Sequence, residues 1–142
     1  MSDKHDFEDI KITRIITEEV GVPSNDGTEG SGLYAVPFEI SAPAPSEWAQ
    51  LFVHHWDRPS RYTTMHRPGI ARVFSKKIIL DGTTMDEVER YHRDTLLLAL
   101  DEANRGYREW TARQADREAR EATRVEQHRE DVEQSAKRIK FD

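Results

Sequence analysis

The architecture of this chain is set by residues 70–87, which read IARVFSKKIILDGTTMDE. Two short runs, 70–75 and 77–80, carry the alternation of apolar and polar residues that is typical of strands. Asp81-Gly82 then gives a turn signal. Residues 84–87, TMDE, match the capping-box pattern that starts a helix. This stretch therefore predicts a β-hairpin followed at once by a helix.

The segment upstream predicts a second pair of strands. Residues 7–20 alternate in a way that puts Ile12 and Ile15 on opposite faces of one strand. Residues 33–41 form the next strand, and Pro37 lies within it. Because proline cannot donate to a sheet ladder, we expect this strand at an edge, or its proline at a bulge. A long, glycine-rich loop joins the two strands.

A short helix is predicted between the two hairpins, over residues 46–57. Trp48, Leu51 and Phe52 recur at helical spacing along one apolar stripe. Ser46 is a suitable N-cap residue, and Pro59 ends the helix. The predicted order of elements is therefore ββαββα.

The last helix is predicted to be unusually long. Its apolar face continues to Trp110, after which residues 111–142 are rich in Ala, Arg and Glu. Opposite charges four residues apart favour helix there as well. A helix from Met85 to about Ile139 would be ~80 Å long at 1.5 Å per residue. That length exceeds a compact domain of this size, so we expect its end to extend beyond the core.

Together these patterns predict an α+β protein with a single domain. It has one antiparallel four-stranded sheet, helices on one face of that sheet, and the long C-terminal helix. The expected organisation is a flexible tail over 1–6, a globular domain over 7–110 and a charged helical extension over 111–142.

Composition excludes several classes of protein. The 142 residues include no cysteine, which excludes disulfides and cysteine-ligated zinc. No apolar run approaches the ~18 residues of a membrane span, and the polar start of the chain lacks a secretory signal. We therefore expect a cytoplasmic protein with no membrane partner.

The net charge of −6 conceals a basic segment in an acidic chain. Residues 1–47 carry ten acids and three bases, whereas residues 58–77 carry six bases and no acid. Nonspecific nucleic-acid binding usually needs a broader basic face. The basic segment is therefore expected to pair with acids of the same chain, or to bind a local anion.

The candidate binding edge lies at the start of this basic segment. Arginine offers a planar fork to carboxylates and phosphates, and Trp, Tyr and Arg are enriched at interface hot spots. The predicted ligand or partner residues are Trp56, Arg58, Arg61, Tyr62, His66 and Arg67. The alternative is that Trp56 and Tyr62 belong to the core, with the arginine stems covering them.

Motifs for catalysis, metals and cofactors are lacking. The chain contains no nucleophile elbow, P-loop or dinucleotide fingerprint, and no His-x-x-x-His pair. We predict no catalytic residues, no metal and no cofactor. A small enzyme with a site at His54 and His66 stays open as an alternative.

An assembly surface is predicted on the helical extension. Val125, Val132 and Ile139 recur every seven residues, although the residues between them make a poor heptad. The chain is therefore predicted to be a non-enzymatic protein-interaction or assembly module. Its helix would mediate self-association or docking to a larger complex, so a protein partner or a homo-oligomer is expected. The alternative is nucleic-acid or phosphate-ligand binding through residues 58–77.

Overall fold

A computed structural model of the chain describes residues 7–142, so the predicted tail over 1–6 lies outside the described residues. The strands are β1 (Ile12–Ile15), β2 (Tyr34–Ile40), β3 (Ala71–Phe74) and β4 (Lys77–Thr83). The helices are α1 (Ser46–Asp57), the single turn α2 (Met85–Glu87) and α3 (Arg93–Arg138). A 3₁₀ turn (Thr17–Glu19) follows β1, and a π-helical segment (Val88–His92) joins α2 to α3. The predicted order is confirmed.

One antiparallel sheet with the order β1-β2-β4-β3 forms the centre of the fold. Its buried side chains include Val36, Phe38 and Ile40 of β2 and Ile78 and Leu80 of β4. The buried side chains of α1 are Trp48, Phe52 and Trp56, four residues apart as the apolar stripe predicts. The prediction of an α+β fold with a four-stranded antiparallel sheet is confirmed.

Strand β1 is much shorter than predicted and is bulged. Ile12 pairs with Ile40 and Ile15 pairs with Phe38, with a register shift between them. Directly paired residues lie on the same side of a sheet, so Ile12 and Ile15 share one face. The prediction that they lie on opposite faces is wrong, because Thr13 is an extra residue in the ladder. Its hydroxyl donates to the Glu39 carbonyl (3.2 Å).

Strand β2 is an interior strand despite its proline. It pairs with β1 on one side and with β4 on the other. The Pro37 carbonyl accepts a hydrogen bond from the Ile16 N–H (2.9 Å), so the proline backbone faces the point where β1 has ended. The missing N–H of Pro37 therefore removes no hydrogen bond from the β1–β2 ladder. The prediction that β2 is an edge strand, or that Pro37 lies at a bulge, is wrong.

Gly82 lies within β4 and does not form the predicted turn. The β2–β4 register shifts where Tyr34 pairs with Thr83 and Ala35 with Asp81. Gly82 has φ +125°, a conformation that side chains disfavour. The Asp81-Gly82 signal therefore marks a β-bulge, and β4 continues through it to Thr83.

Helix starts are close to their predicted positions. Ser46 is the first residue of α1, so Pro45 occupies the cap position expected for Ser46. Thr84 caps α2, as the capping box predicts, because its hydroxyl accepts from the Glu87 N–H (3.1 Å). Helix α2 therefore begins directly after β4, and the π-helical segment connects it to α3.

Asn104 ties α3 to two other parts of the core. Its Oδ1 accepts from the Ile10 N–H (2.9 Å) and from Trp48 Nε1 (2.9 Å). Its Nδ2 donates to the Ile10 carbonyl (2.9 Å). All three side chains are at least 97% buried, so these bonds hold the approach to β1 and the start of α1 against α3.

The chain divides into two compact units, and α3 contributes to both. Residues 8–107 form the larger unit, and residues 108–142 with Phe7 form the smaller one. Helix α3 is 46 residues long and passes unbroken through Gly106. A Cβ at Gly106 would lie 3.2 Å from Leu51 Cδ1, so this glycine permits close packing of α1 on α3. None of the helices formed by the described residues has the length and apolar character needed to cross a membrane.

Candidate functional site

Trp56 contacts the predicted binding loop from the protein core. The residue lies in the last turn of α1 and is fully buried. Its ring lies 5.0 Å from the His66 ring and 5.4 Å from the His92 ring, measured between centroids. Its Nε1 donates to the Arg67 carbonyl (2.9 Å). Trp56 therefore positions the loop and presents no surface to a partner, in line with the alternative that placed it in the core.

Arg67 forms a two-pronged ion pair with Glu87. Its Nε and terminal nitrogen donate to the two carboxylate oxygens at 2.7 and 2.8 Å. Thr83 Oγ1 also donates to Glu87 (2.9 Å). The hydrogen bond from Arg67 is the main cause that lowers the pKa of Glu87 to about 2, although burial acts in the opposite direction. Arg67 is thus paired with the carboxylate of Glu87 within the same chain.

His92 completes this buried cluster from the π-helical segment. Its Nε2 lies 3.3 Å from the Glu87 carboxylate, and its side chain is wholly buried. Burial lowers the pKa of His92, against the opposing effect of Glu87. Burial therefore favours the uncharged form of the imidazole. Its Nδ1 and the neighbouring Thr95 hydroxyl have no hydrogen-bond partner among residues 7–142.

His66 and Tyr62 carry the aromatic contacts from the core toward the surface. The two rings meet edge to face, with centroids 5.3 Å apart. Tyr62 is 61% exposed, whereas both ring nitrogens of His66 are buried without a partner in the part of the chain that the structure describes. Burial lowers the pKa of His66. Tyr62 is therefore the aromatic residue of the loop that a partner could touch.

Half of the cations in the basic segment are paired within the chain. Besides Arg67, Arg72 lies 3.6 Å from Asp81, and Lys77 lies 2.6 Å from Glu19. Arg58 and Arg61 are exposed. The free basic surface is therefore narrower than the sequence suggests, and this favours self-pairing over a broad anionic partner.

His54 and His66, the pair proposed for an enzyme, have different neighbours. His54 lies against His55, with ring centroids 5.1 Å apart, and faces a shallow cavity of about 230 Å³ together with Glu102. His66 lies against Trp56 and Tyr62. No cluster of three or more His, Asp or Glu side chains suited to a metal ion occurs between residues 7 and 142. The two histidines therefore have no ring neighbour in common among the described residues.

The predicted assembly residues are exposed. Val125 and Val132 lie on α3 with 53% and 51% of their surface accessible. Ile139 is 56% exposed and follows the last helical residue, Arg138. Ion pairs surround the two valines, among them Arg124–Glu121 (2.6 Å). The valines are thus apolar positions on an otherwise charged helix.

Sequence reasoning did not assign Glu87, His92 and Thr83 to a site. In the sequence, Glu87 stands out only as the last residue of the capping box, and neither Thr83 nor His92 belongs to a motif. The available signal was the combination of a helix-start glutamate with an arginine segment that contains no acid of its own. That signal does not identify the ion pair, because it does not show which arginine of the segment reaches the glutamate.

Comparison of the chain with protein-family models, with curated proteins and with solved structures finds no match in any of the three.

Proposed function

We propose that the chain is a non-enzymatic protein-interaction module in which the helix over residues 108–138 mediates self-association or docks to a larger complex. The observation that carries the proposal is the exposure of Val125 and Val132, both more than half accessible. Seven residues separate them, so they share one face of the helix. Apolar side chains of this size gain about 1.5–3 kcal/mol each when fully buried.

The charge pattern of this helix supports a protein partner over a nucleic acid. Residues 111–142 carry eight acids and eight bases, so the segment has no net attraction for phosphate. Its ion pairs, such as Arg120–Asp116 (2.5 Å) and Arg129–Glu126 (2.5 Å), keep the backbone helical and the surface polar. Val125 and Val132 are therefore the residues proposed to make the apolar contact with the partner.

The test is the solution mass of full-length variants, measured by size exclusion with light scattering. Val125→Lys/Val132→Lys adds charge to the proposed contact, and lysine is a good helix former. Gln127→Lys/Gln134→Lys adds the same charge about 200° around the helix and serves as the matched control. We expect the first pair to lower the mass of the assembly and the control to leave it unchanged.

If the wild-type chain is a monomer, self-association is excluded and docking to another protein is tested by affinity capture. The bound proteins should then be lost with Val125→Lys/Val132→Lys and kept with the glutamine control. Equal recovery with both variants would contradict the proposed role of the helix.

A second candidate function rests on the exposed residues of the basic loop, Arg58, Arg61 and Tyr62. Together they offer two cationic forks and an aromatic ring to a phosphate ligand or nucleic acid. Binding of a labelled single-stranded oligonucleotide should then weaken steeply with salt and with Arg58→Glu/Arg61→Glu. Affinity that does not respond to this charge reversal would exclude the loop as a nucleic-acid site.

A further inference from the structure

Residues 60–66, the middle of the basic loop, contact the core through the ring of His66. That ring lies 5.0 Å from the Trp56 ring, measured between centroids, and also meets Tyr62. The backbone hydrogen bond from the His66 N–H to the Thr63 carbonyl (3.3 Å) is internal to the segment. No hydrogen bond of ordinary geometry joins residues 60–66 to the other described residues. The position of this segment therefore depends on how His66 packs.

The chain on both sides of this segment is anchored to other elements. On one side, Pro59 is buried. On the other side, the Arg67 carbonyl accepts from Trp56 Nε1 (2.9 Å), and the Arg67 side chain pairs with Glu87. Residues 60–66 can therefore move away from the core without releasing the residues that flank them.

The closed position of His66 suits a neutral imidazole and not a charged one. Both of its ring nitrogens are buried without a hydrogen-bond partner among residues 7–142. An imidazolium carries two N–H donors, and buried charged donors that lack partners are strongly unfavourable. The attraction of such a cation to the Trp56 ring is the smaller effect. Protonation of His66 therefore favours a position in which water reaches its ring.

The charged groups around His66 do not compensate for its burial. Burial lowers the pKa of His66, although the charge of Asp57 at the end of α1 acts in the opposite direction. From the π-helical segment, His92 lies close enough for the two imidazoles to repel each other when both are charged. Arg67, the next residue in the chain, is a further cation near His92, and Glu87 offsets its charge.

We propose that residues 60–66 form a pH-sensitive flap, which protonation of His66 in mild acid releases from Trp56 while the sheet and helices stay folded. Release uncovers the Trp56 ring and moves Tyr62, so it changes the surface that the basic loop offers to a ligand. The inference goes beyond the role proposed for the helix over residues 108–138 and does not depend on it.

The flap should open between about pH 6.5 and 4.5. In the open flap His66 regains the ordinary histidine pKa near 6.5, so each pH unit below that value shifts the balance toward the open form by up to about tenfold. The pKa of Glu87 is lowered to about 2, so its pair with Arg67 persists in this range. The anchored residues on both sides of the flap therefore stay in place while it opens.

The direct test is ¹⁹F NMR of the full-length protein labelled with 5-fluorotryptophan, with the signals assigned from single Trp→Phe variants. As the pH falls from about 7.5 to 4.5, the Trp56 signal should move toward that of a solvent-exposed ring, with a midpoint below 6.5. The Trp48 signal should stay unchanged, because Trp48 is bonded to Asn104 in the core. A change at Trp48 with the same midpoint would mean global unfolding and would overturn the proposal.

Two variants separate His66 from the other histidines. His66→Phe keeps an aromatic ring beside Trp56 but cannot be protonated, so the midpoint should fall by at least about one pH unit. His54→Phe is the matched control, because His54 is exposed and its ring packs against His55. Its midpoint should equal that of the wild type. If circular dichroism shows that His66→Phe is not folded, His66→Gln replaces it, and a midpoint equal to the wild type in the folded variant contradicts the flap.

The ring signals of His66 give a second readout on the wild-type chain, which needs no variant in the flap. ¹³C–¹H NMR of the imidazole follows its protonation directly, and the Trp56 signal should change with the same midpoint. If His66 becomes charged while the Trp56 signal does not move, the flap does not open and the proposal is wrong. A Trp56 signal that stays constant over the whole pH range has the same meaning.

Discussion

The two parts of α3 are helical for different physical reasons. Over residues 93–107 the helix buries Leu96, Ala99 and Leu100, and Asn104 makes three hydrogen bonds across the core. Over residues 108–138 the side chains are mostly exposed, and ion pairs three or four residues apart line the helix. The first part is held by tertiary burial, and the second by local propensity and charge.

This difference shows which part of the helix can carry recognition. A residue buried in the core cannot meet a partner without unfolding, whereas an exposed valine on a charge-stabilised helix can. It also predicts a steep contrast in the cost of substitution between the two parts.

Asn104→Ala should destabilise the unit of residues 8–107 by about 4 kcal/mol. The substitution leaves the Ile10 N–H, the Ile10 carbonyl and Trp48 Nε1 buried without a partner, and each such group costs ~1–3 kcal/mol. Urea unfolding followed by tryptophan fluorescence measures the change. A loss below about 1 kcal/mol would mean that water replaces the amide at all three atoms.

Glu87→Gln should cost about 2–3 kcal/mol, because it removes the charge that Arg67 pairs with at 2.7 and 2.8 Å. The double variant Glu87→Gln/Arg67→Met should recover part of this loss, since an unpaired, partly buried arginine is then absent. Urea unfolding of all four members of this cycle gives the coupling energy. Additive effects in the cycle would contradict a direct pair.

Acid should weaken the fold in two stages. Burial lowers the pKa of His92 and, at a more exposed position, of His66, so their contribution is complete above the ordinary histidine value near 6.5. Below that pH the unfolded chain binds protons that the folded chain does not, and stability falls by up to ~1.4 kcal/mol per pH unit for each such group. His92→Gln should flatten the pH dependence below about 6.5.

The second acid stage belongs to Glu87, whose pKa is lowered to about 2. Its contribution is present above its ordinary value near 4.5 and is lost as the pH falls from there toward 2. Glu87→Gln should remove this stage and leave the histidine stage in place. Unfolding measured at a series of pH values separates the two, and a single unchanged transition in both variants would refute the assignment.

Arg120→Gln should have the smallest effect, less than ~0.5 kcal/mol, because an exposed pair four residues apart contributes ~0.2–0.5 kcal/mol to a helix. Hydrogen exchange sharpens the comparison. We expect the amides of residues 96–107 to exchange with the global unfolding of the core and those of residues 112–138 much faster. Equal protection in both stretches would mean that a partner or a second copy covers the exposed helix.

Much of the fold was predictable because local patterns and tertiary packing agree. The apolar stripe of α1 and the capping threonine Thr84 led to elements within one residue of their observed starts. The predictions were wrong where a β-bulge interrupts the two-residue alternation of a strand. The bulges at Thr13 and Gly82 each shift the register by one residue, which reversed the face of Ile15 and turned an expected loop into strand.

The candidate site was predictable only in part for a related reason. Residue types marked Trp56, Tyr62, His66 and Arg67 as notable, and the structure brings these four together around one loop. It also adds Glu87 and His92, which are distant in sequence and carry no motif. Arg67 and Glu87 are twenty residues apart in the chain and meet only in the folded structure. The order of residues in a sequence does not give the distance between two such side chains.

The sequence by itself determined the order of the elements, the antiparallel hairpins, the helix start at Thr84 and the long charged helix that follows. These features depend on interactions between residues near one another in the chain. Only the tertiary structure decided that Trp56 is buried, that Arg67 pairs with Glu87, that Asn104 joins three segments and that the bulge in β1 puts Ile12 and Ile15 on one face. Those outcomes depend on which distant side chains meet when the sheet and helices close around one core, where each buried polar group must find a partner.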